Sequence, residues 1–172
     1  MMNTGNLKVT TPSDREIAMT RVFNAPRRLV FDALSKPELV KQWLLGPPGW
    51  TMPVCEIDLR VGGAYRFQWS GPHGAKMGTR GIFREVAPPE RFVATERFED
   101  PWYPGEALIT YILVEQSGKT TLTLTVLYES REARDGVLKT PMNKGVAMSF
   151  DRLEELLGSR GARGSEKGAS SS

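Results

Sequence analysis

The pattern that most restricts this chain is a run of six strand-like segments closed by one long amphipathic helix. Residues 50–128 contain WTMPVCEIDLR (50–60), AYRFQWS (64–70), KMGTRGIFREV (76–86), RFVATERFE (91–99), EALITYILVEQ (106–116) and KTTLTLTVLY (119–128). Apolar and polar residues alternate along most of them, the period of a half-buried strand. Turn residues separate them: Gly62-Gly63, GPHG (71–74), APPE (87–90) and Ser117-Gly118. Six consecutive strands with short turns predict an antiparallel meander. One face of such a sheet has to be covered. Only residues 140–157 offer a long apolar helical stripe, formed by Met142, Val146, Ser149, Leu153 and Leu156 with Phe150 and Leu157 beside it. Thr140 is placed to cap that helix and Pro141 to begin it.

Upstream, REIAMTRVF (15–23) puts Ile17, Met19, Arg21 and Phe23 on one side and predicts a strand. Two short helices follow. Asn24 is the candidate cap of the first, with Pro26 in its first turn; Ser35 and Glu38 have capping-box spacing at the second, with Pro37 in its first turn. GPPG (46–49) ends it. Ser130 is placed to cap a further short piece, REARDGVL. The order is therefore strand, two short helices, six strands, long helix, an α+β chain. A curved antiparallel sheet wrapped around a C-terminal helix leaves space at its wide end, the natural ligand site. Residues 1–14 read as a flexible lead-in, 15–157 as a single domain, and GSRGARGSEKGASSS (158–172) as a disordered tail without apolar periodicity.

Charge and composition exclude several functions. The net charge is +3, of which Arg160, Arg163 and Lys167 against Glu166 place +2 in the tail and leave +1 for the rest. That is too balanced for a nucleic-acid footprint. No apolar run approaches the roughly 20 residues of a membrane span. The N-terminus lacks the apolar stretch of a signal peptide, and Cys55 stands alone, so a reducing, cytoplasmic setting is expected. A monomer or a homodimer fits equally.

The candidate site rests on aromatic residues. Tyr65, Phe67 and Trp69 share one face of their strand, and Tyr111 lies on the inward face with Ile109 and Leu113. Such a face makes either an ordinary core or the wall of a cavity. Two inward tyrosine hydroxyls need partners, which favours a cavity. Trp43 and Trp50 flank the LLGPPG loop, and Trp50 with Met52 is placed to gate an entrance; Met142 and Met148 sit on the closing helix. His73 lies in a turn with no catalytic or ligating neighbours, Cys55 alternates with Ile57 and Leu59 as a small hydrophobe, and Asp58 and Arg60 form a surface pair. Glu96 shares a face with Phe92, Ala94 and Phe98, so it is either a buried acid or base or a wet edge residue; Arg80 is open in the same way. No phosphate-binding glycine loop and no metal-ligand cluster occurs, so no catalytic residue, cofactor or metal is assigned.

RVFNAPRRLVFDAL, PELVKQWL, DLRVGGAYRF, PPERFVAT and MNKGVAMSFDRLEELL, in this order, resemble the SRPBCC (START-like) superfamily. More narrowly, they resemble its branch related to the C-terminal domain of the activator of the heat-shock-protein-90 ATPase. The resemblance spans residues 15 to 157. It implies a helix-grip fold, β-α-α-β6-α, with a hydrophobic cavity between sheet and long helix. It also implies several functions: binding of a small hydrophobic or aromatic ligand, a co-chaperone module acting on the chaperone ATPase, or a cyclase/aromatase-like enzyme on a polyketide-like substrate. Fold alone does not choose among them.

Overall fold

The computed structural model describes residues 2–170 apart from 5, 102 and 104, and side chains from 6 to 160 within that range. Nine strands form one antiparallel sheet: β1 (Met2–Thr4), β2 (Leu7–Thr10), β3 (Glu16–Phe23), β4 (Thr51–Ile57), β5 (Ala64–Ser70), β6 (Lys76–Ala87), β7 (Arg91–Phe98), β8 (Ala107–Gln116) and β9 (Lys119–Leu127). Their order is β1-β2-β3-β9-β8-β7-β6-β5-β4. Helices α1 (Arg27–Ser35) and α2 (Pro37–Trp43) connect β3 to β4, and α3 (Arg131–Leu138) and α4 (Met142–Ser170) close the chain. This is the α+β helix-grip arrangement: a sheet packed on its C-terminal helix. The meander from β4 to β9 follows the six alternating segments, and β3 pairs with β9 along its whole length, Ile17 opposite Val126 and Met19 opposite Leu124.

The N-terminal lead-in is corrected. Residues 7–10 are a strand on β3, with Val9 opposite Met19. Leu7 and Val9 are only 1% and 2% exposed. Their alternation with Lys8 and Thr10 is real but two apolar residues long, too short to stand out from a polar segment. At the other end the backbone of α4 continues as helix through Ser170, past the boundary read at 157. Extending an anchored helix adds one hydrogen bond per residue fixed and avoids the cost of nucleation.

Two caps also differ. Pro26 occupies the cap position of α1, and the Arg27 N–H donates instead to the Glu115 carboxylate on β8. Ser35 is the last residue of α1 and its hydroxyl donates 2.7 Å back to the Phe31 carbonyl, so it cannot cap α2. Ser130 does cap α3, accepting from the Ala133 N–H at 3.0 Å. Thr140 accepts from the Met142 N–H at 3.4 Å and donates to the Val137 carbonyl at 2.7 Å.

The helix α4 is fixed to the sheet by apolar and charged contacts together. Phe150 meets Phe23 edge-on at 5.6 Å and Trp43 at 5.9 Å, and Leu153 and Leu157 are buried beneath. Arg21 on β3 is buried, and its guanidinium donates to Asp151 at 2.7 Å and to Glu154 at 2.6 Å, both on α4. The two carboxylates remain 68% and 44% exposed, so only the arginine is desolvated.

That asymmetry predicts an order of effects. Asp151→Ala with Glu154→Ala strands a buried cation and should cost about 3–5 kcal/mol in urea denaturation. Arg21→Met returns two carboxylates to water and fills much of the arginine's volume, so it should cost clearly less; the reverse order would contradict the assignment. At the sheet edge, Leu7→Ala should cost about 2–5 kcal/mol, as for a packed core leucine, whereas an unstructured lead-in would leave the midpoint unchanged.

Candidate functional site

Between the concave face of the sheet and α4 lies a cavity of about 620 Å3. Strand parity sets its wall. Ile57 on β4 is paired with Tyr65 on β5, and Tyr65, Phe67 and Trp69 point the same way toward the cavity. Thr79 and Phe83 on β6, Phe92, Ala94, Glu96 and Phe98 on β7, and Ile109 and Tyr111 on β8 continue it. Leu124, Val126 and Tyr128 complete the sheet side, and Met142, Val146 and Ser149 come from α4. The rings contact one another: Tyr65 and Phe67 at 5.1 Å, Phe67 and Trp69 at 5.9 Å, and Phe92 stacked on Tyr111 at 4.5 Å.

Backbone acceptors hold the aromatic residues in place. Trp43 donates to the Ala33 carbonyl and Trp69 to the Leu44 carbonyl, each at 2.7 Å. The loop that Trp69 grips is tied to α4 by the Gly46 N–H on Ser149, 2.9 Å, and by Arg152 on the Gly46 carbonyl, 2.6 Å. Trp50 lies over Gly71, where an added Cβ would sit 2.6 Å from the indole. Tyr65 donates 2.7 Å to the Thr95 carbonyl. The carbonyl is free because the β6–β7 ladder runs from Arg80–Arg97 to Phe83–Ala94 without pairing Gly81 or Ile82, and the Ile82 N–H takes the Thr95 hydroxyl. A side chain on Gly81 would collide with both the Thr95 carbonyl and the Tyr65 ring.

Of the nine candidates from the sequence, Trp43, Trp50, Tyr65, Phe67, Trp69, Tyr111 and Met142 line this cavity. Met52 and Met148 do not, and both are corrected. Met52 lies an odd number of residues before Ile57, in the stretch of β4 where the pairing with β5 shifts between Thr51 and Val54. Met148 is 42% exposed because the cavity side of α4 carries 142, 145, 146 and 149, and residue 148 falls on the other side. Arg80 points outward. It stands in a cross-strand row with Arg66 and Arg97 behind the sheet, over a shallower concavity of about 400 Å3. Cys55 is half-buried, and burial lifts its thiol to about 11. Asp58 and Arg60 form the expected exposed pair at 2.8 Å. His73 is exposed in its turn, and no cluster of three metal-ligating side chains occurs among the described residues.

Glu96 faces inward. It is half-buried by accessible surface and lines the cavity, where its carboxyl is surrounded by protein atoms. This desolvation raises its carboxyl to about 7, against a smaller opposing effect of its hydrogen bond with Tyr103. Tyr65, Tyr103, Tyr111 and Tyr128 are all pushed above the ordinary phenol range, first by burial and then by the Glu96 charge. Sequence reasoning missed Tyr103 and Tyr128. Tyr128 continues the Leu122, Leu124, Val126 alternation and was findable; Tyr103 sits in the β7–β8 loop, where no periodicity exists.

A family model described as activator of Hsp90 ATPase homolog 1-like protein matches residues 24–158. The chain belongs to that family. This places it in the START-like superfamily that the sequence resembles. A solved structure of a Rhodobacter sphaeroides protein is 29% identical, covers 90% of this chain and 99% of its own, and superposes with a TM-score of 0.85. A Nitrosomonas europaea protein is 26% identical over 88% of this chain and 99% of its own, with a TM-score of 0.78. A Mycobacterium smegmatis protein is 26% identical over 87% and 97%, with a TM-score of 0.75. No curated protein matches significantly. Among the described residues no helix is long and apolar enough to cross a membrane.

The buried carboxyl makes stability depend on pH. Below about 4.5 the folded and unfolded chains both hold the proton. Between there and about 7 the unfolded chain loses it first, so folding stability falls as pH rises, and above 7 the full penalty applies. Glu96→Gln should therefore raise the melting temperature at pH 8, flatten its decline between pH 5 and 8, and make little difference near pH 4. A parallel offset at all three values would show that Glu96 titrates normally.

Proposed function

We propose that this protein binds a small hydrophobic or aromatic molecule in the cavity between the sheet and α4. The observation that carries this reading is an aromatic-walled space of about 620 Å3, within the range of small-molecule sites, about 300–1,000 Å3. A few polar groups converge on it, as such sites require. Glu96 lines it, and the hydroxyls of Tyr111 and Tyr128 have no hydrogen-bond partner among the described residues. Phe67 is half-buried although its ring contacts those of Tyr65 and Trp69, and Trp50 is half-buried too; both line the cavity.

Family membership favours a second reading, a co-chaperone-type module acting on the heat-shock-protein-90 ATPase. The matched region is the single domain described above. The two readings separate in one comparison: the full chain is tested for stimulation of the chaperone ATPase and, in parallel, for saturable binding of Nile red. Ligand binding predicts saturation and no stimulation.

Phe67→Ala tests the site within the protein. A fully packed phenylalanine costs about 3–5 kcal/mol when cut to alanine; Phe67 should cost well under that in denaturation, yet weaken the probe several-fold. A full core penalty with unchanged probe affinity would make the ring plain core and remove it from the site.

A further inference from the structure

Among the described residues lining the cavity, Glu96 is the only charged side chain. Among the described residues no lysine, arginine or histidine lines it. From β5, Tyr65 is near, but its hydroxyl proton is committed to the Thr95 carbonyl. From the β7–β8 loop, Tyr103 hydrogen-bonds the carboxyl. Tyr111 on β8 and Tyr128 after β9 stand around it, close enough for its charge to act on both phenols. Thr79 from β6 and the α4 side, with Met142, Val146 and Ser149, bring no charge. The buried Arg21 is treated differently, since it has two carboxylates at 2.6–2.7 Å. A desolvated carboxylate with neutral neighbours is unfavourable until a cation joins it.

We propose that the ligand supplies this cation: the cavity takes a hydrophobic or aromatic molecule bearing one ammonium group, which seats against Glu96 among the tyrosine rings. The inference rests on the reading that the cavity binds small molecules, and adds the ligand's charge class. Ring faces carry negative charge density and attract ammonium groups, most strongly where water is excluded. A carboxylate-bearing amphiphile of the same size would meet the Glu96 charge and is rejected. Below neutrality Glu96 holds its proton in the empty site. A cation arriving there displaces that proton, so affinity for a permanently charged ligand rises with pH and levels off once Glu96 is ionised.

The test uses three probes of one shape that compete with Nile red: a naphthylethyl trimethylammonium, its neutral isostere with carbon in place of nitrogen, and the corresponding carboxylate. At pH 8 the ammonium should bind about tenfold tighter than the isostere, a difference of about 1.4 kcal/mol, and the carboxylate weakest. The preference should shrink toward pH 5.5 in the unaltered protein, and in Glu96→Gln the ratio should fall to about one. The pH series in the unaltered protein decides the matter if the variant does not fold. An isostere that binds as tightly as the ammonium at pH 8, a preference that ignores pH, or a carboxylate that binds best would overturn the charge assignment while leaving the cavity reading standing. Failure of Nile red and all three probes to bind would sink both.

Discussion

The ion pairs of Arg21 with Asp151 and Glu154 set the position of α4, and the cavity depends on that position. Apolar contacts alone allow a helix to slide or rotate over a smooth sheet face at little cost. A buried guanidinium with two directed bonds at 2.7 and 2.6 Å allows one register. Arg21 also lies 5.4 Å from the Phe23 ring, which in turn meets Phe150, so the charged and aromatic contacts fix the same stretch of helix. With that stretch fixed, Ser149 and Arg152 reach Gly46, and the loop before β4 is held over one side of the cavity. Moving α4 by a turn would break all of these contacts together.

The opposite wall stays open for a different reason. Large rings on a concave face would ordinarily turn into any void. Here the polar ends of two of them are held by backbone carbonyls, Trp69 on Leu44 and Tyr65 on Thr95, and Trp43 on α2 is held in the same way on Ala33. The Tyr65 anchor exists only because the sheet ladder lapses at Gly81 and Ile82. The lapse leaves its mark on the outer face too. Behind it Glu56, Arg66, Arg80 and Arg97 face one another across β4 to β7, and Arg97 reaches Glu106 at 3.9 Å. Three like charges side by side oppose sheet pairing. Glu99 offsets part of that by accepting from Arg66 at 2.8 Å and from Gln68 at 2.9 Å.

What could be read from the sequence divides along physical lines. Period-two alternation over seven or more residues located β3 and the meander, and helical spacing located α4, because both patterns arise from burial of one face. Tyr65, Phe67, Trp69 and Tyr111 followed from the same parity and Met142 from the helical stripe, whereas Trp43 and Trp50 were read from their place beside the LLGPPG loop. Met52 was placed by its nearness to Trp50 as a gate rather than by any pattern, and Met148 falls where one residue of helical phase decides the side. Leu7 and Val9 escaped because their alternation is only two apolar residues long, too short to stand out from a polar segment. Glu96 could be assigned to a face but not to an environment: parity says that it points with Phe92, Ala94 and Phe98, and only the assembled wall says that nothing cationic is there. Tyr103 lies in a loop placed by tertiary contacts, edge-on to Phe98 at 5.7 Å and to Tyr128 at 5.3 Å, with no sequence periodicity to announce it.

Arg21 and Glu96 then follow opposite logic in one fold. Arg21 is desolvated, but its partners keep one side in water, so the pair is neutralised without burying three ions. Its effect is structural, and it leaves no charge for a ligand. Glu96 is desolvated by burial, beside an open space that it lines. Filling that space with larger side chains would gain dispersion contacts and would also deepen the carboxylate's isolation. Leaving the space open keeps the carboxylate reachable, but the empty protein forgoes those contacts and carries an acid that ionises only near neutrality. A ligand of suitable size restores the contacts, and one with a positive charge removes the electrostatic penalty as well. The stability gained on binding would then exceed what its apolar area alone provides. The source of that excess is the same absence of a counter-ion that makes the unliganded fold less stable above pH 7.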